Sequence, residues 1–173
     1  MRPIHIYTGI IAFAAATTGN ACAFSQQKAD PRVQTMAAIT GAYHKMDAAV
    51  AAHSTEKLLA ANTQSYVIVD ARGKVLFKGG AKMTAQWNKT LTAAAHVKQS
   101  TSLQKLSLLP TGAVATVLQR LQLSAFDPDI NNWKTWVIDW KMEDSWSKVG
   151  GSWRRTRTIM LAQTSKKRPG PIE

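Results

Sequence analysis

The spacing of apolar side chains along the chain changes from helical to extended and back. After Pro31, apolar residues recur every three or four positions, as on one face of an amphipathic helix. This helix is predicted to begin at Pro31, with Asp30 as its N-cap, and to end near Ala52. A short second helix is predicted over residues 56–61. The apolar positions of the first helix are Val33, Met36, Ile39, Tyr43, Met46 and Val50.

Strand-like spacing follows these helices. Residues 66–69 are rich in β-branched side chains, residues 70–73 have the composition of a turn, and residues 75–77 are predicted to pair back as a hairpin. Two glycines then end the hairpin. Residues 81–95 return to helical spacing, which predicts a third helix.

The second half of the chain is predicted to be a meander of four long strands. Segments rich in Pro, Gly, Asp and Asn separate these strands. Helices that precede and interrupt a mainly antiparallel sheet are typical of the α+β class. Because a sheet covered on one face must bury that face, we expect it to curl around a pocket. The predicted strands cover residues 97–109, 113–126, 133–148 and 152–162.

The N-terminal residues follow the order that is typical of a secretory signal. Arg2 precedes an apolar run over 10–16 and a small-x-small cleavage pattern at 21–23. We therefore expect a cleaved signal over 1–23, a flexible lead over 24–30, and a periplasmic or secreted protein. A buried N-terminal helix is the alternative. Cys22 is the only cysteine, and it lies in this segment. Its lipidation is a further alternative.

Charge and motif content narrow the function classes. The formal net charge is +12, and residues 164–173 are predicted to form a disordered basic tail. Arg154, Arg155 and Arg157 are interpreted as a solvated basic face. Nucleic-acid binding is not expected, because an exported chain with aromatic residues alternating into a core lacks an exposed stacking groove. No metal-ligand spacing or nucleotide-binding motif is present in the sequence, and no further apolar run reaches the ~20 residues of a membrane span.

Two stretches of the sequence resemble the SnoaL-like family of the nuclear transport factor 2-like superfamily. The first runs from the Ile39 helix through the strand at 66–70 to Trp87, and the second is an acidic, aromatic hairpin over 143–154. The resemblance covers residues 31–163. It implies a cone-shaped barrel, made of a strongly bent, mainly antiparallel sheet packed on a long N-terminal helix plus two further helices. Members include ketosteroid isomerase, scytalone dehydratase, polyketide cyclases and binding or association modules, so the fold does not select among these functions.

Three residues are candidates for proton-transfer chemistry. Asp144 alternates with tryptophans on the third long strand, where burial would favour a neutral acid that donates to an oxyanion. The alternative is that Asp144 lies at the pocket rim or pairs with a nearby Arg. By resemblance to ketosteroid isomerase, Asp70 is a candidate base and Tyr43 a candidate hydroxyl donor. The alternatives are an ordinary turn aspartate and a core tyrosine.

The aromatic side chains predict a binding pocket. Five of six tryptophans fall from Trp133 onward, and an aromatic cavity wall suits an apolar ligand, whereas a core or dimer face is the alternative. The sequence thus favours an exported small-molecule-binding domain without a cofactor. A proton-transfer isomerase, dehydratase or cyclase and a homodimeric association module are the other hypotheses. The predicted ligand-binding residues are Trp87, Gln119, Trp136, Trp140 and Trp146.

Overall fold

A computed structural model describes residues 30–129 and 131–172. The predicted signal over 1–23 lies outside the described residues, as does the predicted lead except for Asp30. Among the described residues, no helix combines the length and the apolar character that crossing a membrane requires.

Three helices form where apolar spacing predicted them, with small differences at their ends. They are α1 (Pro31–Ala51), α2 (Thr55–Leu59) and α3 (Ala81–Ala93). Asp30 caps α1, because its Oδ1 accepts from the backbone N–H of Arg32 at 2.8 Å. The predicted apolar stripe of α1 needs one correction. Val33 and Met36 are half exposed, and the contact of α1 with the core begins at Thr35 and Ile39.

The strands of the described residues form a six-stranded sheet, in the order β2-β1-β6-β5-β4-β3. The strands are antiparallel to their neighbours, except that β1 runs parallel to β6. The predicted hairpin and the predicted four-strand meander are therefore both confirmed. The strands are β1 (Asn62–Asp70), β2 (Val75–Lys78), β3 (His96–Leu109), β4 (Gly112–Asp127), β5 (Asn132–Val149) and β6 (Ser152–Pro169).

The sheet curls without closing. Two register shifts between β5 and β6 leave Thr156 and Leu161 of β6 without an opposite residue. Such bulges bend a strand and increase its twist. The curled sheet holds α1 against its inner face, where α1 contacts both β3 and β6. The predicted α+β cone is thus the observed architecture.

The last strand is longer than the sequence predicted. The sequence ended it at Ala162, but β6 continues to Pro169, which lies opposite Lys134 of β5. Beyond the strand, the carbonyl of Gly170 accepts from Thr135 Oγ1 at 2.6 Å. Most of the predicted disordered tail is therefore paired strand, because β5 is long enough to offer it backbone partners.

The core lies between α1 and the inner face of the sheet. Apolar residues from the three helices and from β3, β4 and β5 fill it, and Trp146, which is 1% exposed, is among its largest buried side chains. Met142 and Trp146 point inward from β5, as the predicted alternation requires.

Candidate functional site

A buried carboxylate forms the centre of the candidate site. Asp144 of β5 is 0% exposed and accepts three side-chain hydrogen bonds. Tyr43 Oη donates to its Oδ2 at 2.6 Å, and Arg155 Nη1 donates to the same oxygen at 3.3 Å. Thr158 Oγ1 donates to Oδ1. Both oxygens of this buried carboxylate therefore have hydrogen-bond donors from the protein.

Arg155 is the countercharge of this carboxylate. Its side chain is buried beside Asp144, its Nε donates to Asn62 Oδ1 at 3.0 Å, and its guanidinium lies 4.8 Å from the ring centroid of Tyr66. A buried carboxylate without such a partner would be strongly unfavourable. The pair therefore places two opposite charges in the core with no net charge.

The hydroxyl group of Thr158 connects the carboxylate of Asp144 to a second buried tyrosine, Tyr66. Tyr66 Oη and Thr158 Oγ1 are 2.6 Å apart, and Thr158 donates its only hydroxyl proton to Asp144. Thr158 must therefore accept the bond from Tyr66. The hydroxyl proton of Tyr66 points toward Thr158, and that of Thr158 points toward Asp144. The lone pairs of Tyr66 Oη therefore remain as hydrogen-bond acceptors.

Burial makes both tyrosines weaker acids. It is the main reason why the pKa of Tyr66 rises to about 12, although the charge of Arg155 opposes the rise. Burial also raises the pKa of Tyr43, and the negative charge of Asp144 raises it further. Burial alone would lower the pKa of Arg155, but Tyr66, Asp144 and Tyr43 raise it overall. Both phenols therefore stay protonated at neutral pH and act as hydrogen-bond donors.

A small inner cavity lies beside this network. It has a volume of about 80 Å³ and is bounded by α1, α2, α3 and the inner face of the sheet. Its polar lining contains Arg155 and Thr158, two of the three residues that donate to Asp144, but neither Tyr43 nor Asp144 itself. The polar lining residues are Asn62, Tyr66, Gln99, Gln119, Arg155 and Thr158.

An outer cavity of about 220 Å³ adjoins the inner one, and its walls are largely apolar. The two share Ile68, Met83, Trp87, Trp140 and Met160 in their linings. An apolar cavity of about 150 Å³ is large enough for benzene in another protein. The outer cavity can therefore hold a small aromatic molecule whose polar end faces the inner cavity.

The three predicted catalytic residues do not form one group. Tyr43 and Asp144 are bonded to each other in the core, so the alternatives of a core tyrosine and of an Arg-paired aspartate describe their contacts. Asp70 lies at the turn after β1, where its Oδ1 accepts from the N–H groups of Arg72 and Lys74, both at 2.9 Å. These are the bonds of an ordinary turn aspartate. A general-base role for Asp70 stays a prediction.

The predicted ligand-binding residues divide in a similar way. Trp87, Gln119 and Trp140 line the inner cavity, and the two tryptophans also line the outer one. Trp136 and Trp146 belong to neither lining. Trp146 is part of the core, where its indole Nε1 donates to Tyr43 Oη at 3.2 Å.

Arg155 was misassigned from the sequence. The sequence predicts that it belongs, with its neighbours, to a solvated basic face, and this prediction is wrong because Arg155 is 7% exposed. The two-residue turn at Gly150-Gly151 could have identified it, since this turn places Arg155 opposite Trp146. Thr158 was missed because it follows the bulge at Thr156, which reverses the alternation of β6. Tyr66 was missed because it contacts the site through Thr158.

Among the described residues, no group of three or more His, Cys, Asp or Glu side chains is placed to hold a metal ion. The site is instead built from one carboxylate, one guanidinium, hydroxyls and amides.

No protein-family model matches this sequence, and comparison with curated proteins finds no match. Solved structures do match. The Kfla4162 protein from Kribbella flavida has 10% identity and a TM-score of 0.63, over 77% of this chain and 95% of that one. A domain of unknown function with a cystatin-like fold from Nostoc punctiforme has 15% identity and a TM-score of 0.54, over 74% and 76%. A hexachlorocyclohexane dehydrochlorinase (LinA) type 2 has 15% identity and a TM-score of 0.56, over 78% and 90%.

At these identities the likeness establishes the fold and leaves the function open. The curled, unclosed sheet around α1, together with these neighbours, shows that the chain has the cystatin-like, nuclear transport factor 2-like fold.

Proposed function

We propose that the protein is an exported SnoaL-like module that binds a small, neutral, largely apolar molecule in its cone. The observation that carries the proposal is the pair of adjoining cavities. The outer cavity has apolar walls, and the polar lining of the inner cavity forms its floor. Because the charges of Asp144 and Arg155 cancel, the floor favours a neutral ligand over an ion. The name of the neighbouring dehydrochlorinase also refers to a compact apolar compound, hexachlorocyclohexane.

The saturation of Asp144 favours binding over catalysis. Both of its oxygens accept hydrogen bonds from the protein, and the residue is fully buried. A general base needs hydrogen-bond reach to its substrate, directly or through one water. Asp144 meets the inner cavity only through Thr158, Arg155 and Tyr66, so its main effect is to hold the floor in one arrangement.

Thermal unfolding with toluene as the probe tests the binding proposal. Saturating toluene should raise the Tm of the full chain, because a ligand that binds only the folded state stabilises it. Met160→Trp should abolish the rise, since Met160 lines both cavities. Met36→Trp is the matched control, because Met36 is exposed on α1. A rise that survives in Met160→Trp, or none with any neutral apolar probe, would contradict the proposal.

A second candidate function is proton transfer next to a carbonyl. The observation in its favour is the hydroxyl chain that leads from Tyr66 at the inner cavity through Thr158 to Asp144. A substrate proton accepted by Tyr66 Oη would move the two hydroxyl protons one step each, so that Asp144 ends as the acid.

Deuterium uptake by cyclohexanone in heavy water tests this alternative. An enzyme should accelerate exchange at the carbons beside the carbonyl, and Thr158→Val should remove the acceleration by interrupting the chain. Thr156→Val is the control, because Thr156 bonds the backbone carbonyl of Ser145 outside the chain. Exchange no faster than in buffer would eliminate the candidate.

Export and homodimerisation are further parts of the proposal. The order of charge, apolar run and cleavage pattern over 1–23 supports export to the periplasm or the medium. Half-exposed apolar side chains such as Leu118 and Leu161 support self-association. The N-terminal sequence of the protein recovered from an expressing cell tests the first, and light scattering at high concentration tests the second. An uncleaved chain or a monomer would remove the corresponding part.

A further inference from the structure

A glutamine in the inner cavity has an unsatisfied oxygen. Gln99 of β3 is 7% exposed and lines the inner cavity, and its Oε1 is buried without a hydrogen-bond partner among the described residues. Leaving a buried acceptor unpaired is unfavourable by about 1–3 kcal/mol. Such an atom is the place where a bound molecule gains the most from a hydrogen bond.

Asp47 of α1 fixes the direction of this amide. The carboxylate of Asp47 accepts from Gln99 Nε2 at 2.9 Å, and from the N–H and the hydroxyl of Thr101, both at 2.8 Å. A flipped amide would place the Gln99 oxygen against a carboxylate oxygen, and both atoms are acceptors. Asp47 therefore excludes the flip and keeps Oε1 as the unbound end.

The same aspartate orients a second glutamine through Thr101. Because Thr101 Oγ1 donates its proton to Asp47, it can only accept from Gln119, whose Nε2 lies 3.0 Å away. Gln119 is buried and lines the inner cavity, so its Oε1 is also presented as an acceptor. The hydroxyl chain at Tyr66 adds a third acceptor, since its proton points toward Thr158.

We propose that Gln99 and Gln119, oriented by Asp47, make the inner cavity selective for ligands that bring a hydrogen-bond donor. The ligand class is a small aromatic or alicyclic molecule that carries a hydroxyl or amino group, with its apolar body in the outer cavity. This selectivity rests on the proposed binding function and adds to it the chemical group that the cavity recognises.

Three probes of similar size separate the effect of a hydrogen-bond donor on the ligand from that of its apolar body. Phenol can donate and accept a hydrogen bond, anisole can only accept, and toluene can do neither. In calorimetric titrations of the full chain, phenol should bind about tenfold more tightly than anisole or toluene. This difference in affinity corresponds to the contribution of about one hydrogen bond. Equal affinity for all three would overturn the selectivity and leave the binding function standing. If none of them bound, the binding function would fail as well.

Substitution of Gln99 tests whether this residue causes the preference for phenol. Gln99→Met keeps the length of the side chain but removes the acceptor, so it should reduce the ratio of phenol affinity to toluene affinity about tenfold. Gln104→Met is the matched control on the same strand, because Gln104 is exposed. Asp47→Asn should also weaken the preference for phenol, since an amide at that position permits Gln99 to flip. A preference for phenol that persists in both Gln99→Met and Asp47→Asn would overturn the assignment.

Discussion

Asp144 shows how a single residue constrains the interior of this protein. A carboxylate with no solvent exposure is tolerated because Tyr43, Thr158 and Arg155 donate to it. Replacing one member of such a set leaves the others buried without partners, which is more unfavourable than replacing the whole set by apolar residues. The network therefore gives the floor of the inner cavity one stable arrangement.

The first prediction at this scale concerns the negative charge of Asp144. Asp144→Asn should lower the free energy of unfolding by about 3–5 kcal/mol, because Arg155 remains buried without its countercharge. Asp139→Asn is the matched control, since its ion pair with Arg120 is exposed to solvent, and its effect should be much smaller. Urea unfolding of both variants measures the difference. Equal losses would mean that the buried pair does not hold the core together.

The second prediction concerns alkaline pH. Since the fold raises the pKa of Tyr66 from 10.0 to about 12, its neutral form is favoured in the folded state. That contribution is fully present below pH 10 and is lost as the pH rises toward about 12, at about 1.4 kcal/mol per pH unit. Tyr43, whose pKa is also raised, adds to the loss. Tyr66→Phe should therefore reduce the slope of unfolding free energy against pH in this range. In a Tyr7→Phe background, tyrosinate absorbance that appears near pH 10 without unfolding would contradict this.

At the scale of elements, the hairpins and bulges determine which side chains meet. The turn at Gly150-Gly151 sets the register of β5 and β6, and the bulge at Thr156 then brings Thr158 opposite Asp144. The adjoining β3–β4 turn ends against β5, because Gly112 approaches the backbone carbonyl of Trp146. Close approach of one backbone to another is a position that glycine fills and that a larger side chain disrupts.

The same substitution at two glycines should have opposite effects. In Gly112→Ala, the added methyl group would collide with the carbonyl oxygen of Trp146, so we expect a loss of about 1–3 kcal/mol in unfolding free energy. In Gly41→Ala, the methyl group meets no atom within 4 Å on the α1 helix, and we expect a gain of about 0.5–1 kcal/mol. Thermal unfolding measures both. A Gly112→Ala protein as stable as the original would contradict the observed packing of β4 on β5.

The elements were more predictable from the sequence than the polar contacts between them. Regular spacing gave the helices, the hairpin and the four long strands, because burial of one face imposes a period on the residues. The Gly150-Gly151 turn sets the register of Arg155, but its ion pair with a carboxylate eleven residues away depends on the fold and was not predicted. Gln99 was also missed, because only the fold brings it to Asp47, which lies 52 residues earlier.

The last strand illustrates the same limit. Its basic composition after Ala162 is typical of a solvated tail, and those residues are indeed exposed. They are nevertheless paired with β5 up to Pro169. Backbone hydrogen bonds to a long neighbouring strand leave no signature in side-chain hydrophobicity, so composition alone did not predict the extent of β6.

At the scale of the whole molecule, the curled sheet, α1 and α3 enclose the inner and outer cavities, and methionines line them. Met46, Met83, Met142 and Met160 contribute to the inner cavity, and two of these also reach the outer one. Met36 lies on α1, where it is exposed to solvent. Methionine methyl groups therefore provide four reporters inside the cone and one internal control outside it.

The most direct test is a titration of the protein with phenol, followed by magnetic resonance of isotope-labelled methionine methyl groups. Binding in the cone should shift the signals of Met83 and Met160 most, since these residues line both cavities, with smaller shifts at Met46 and Met142. The Met36 signal should not move. Saturable shifts confined to the four cavity methionines would support the account. Cavity signals that stay unchanged, or shifts at Met36 alone, would contradict it.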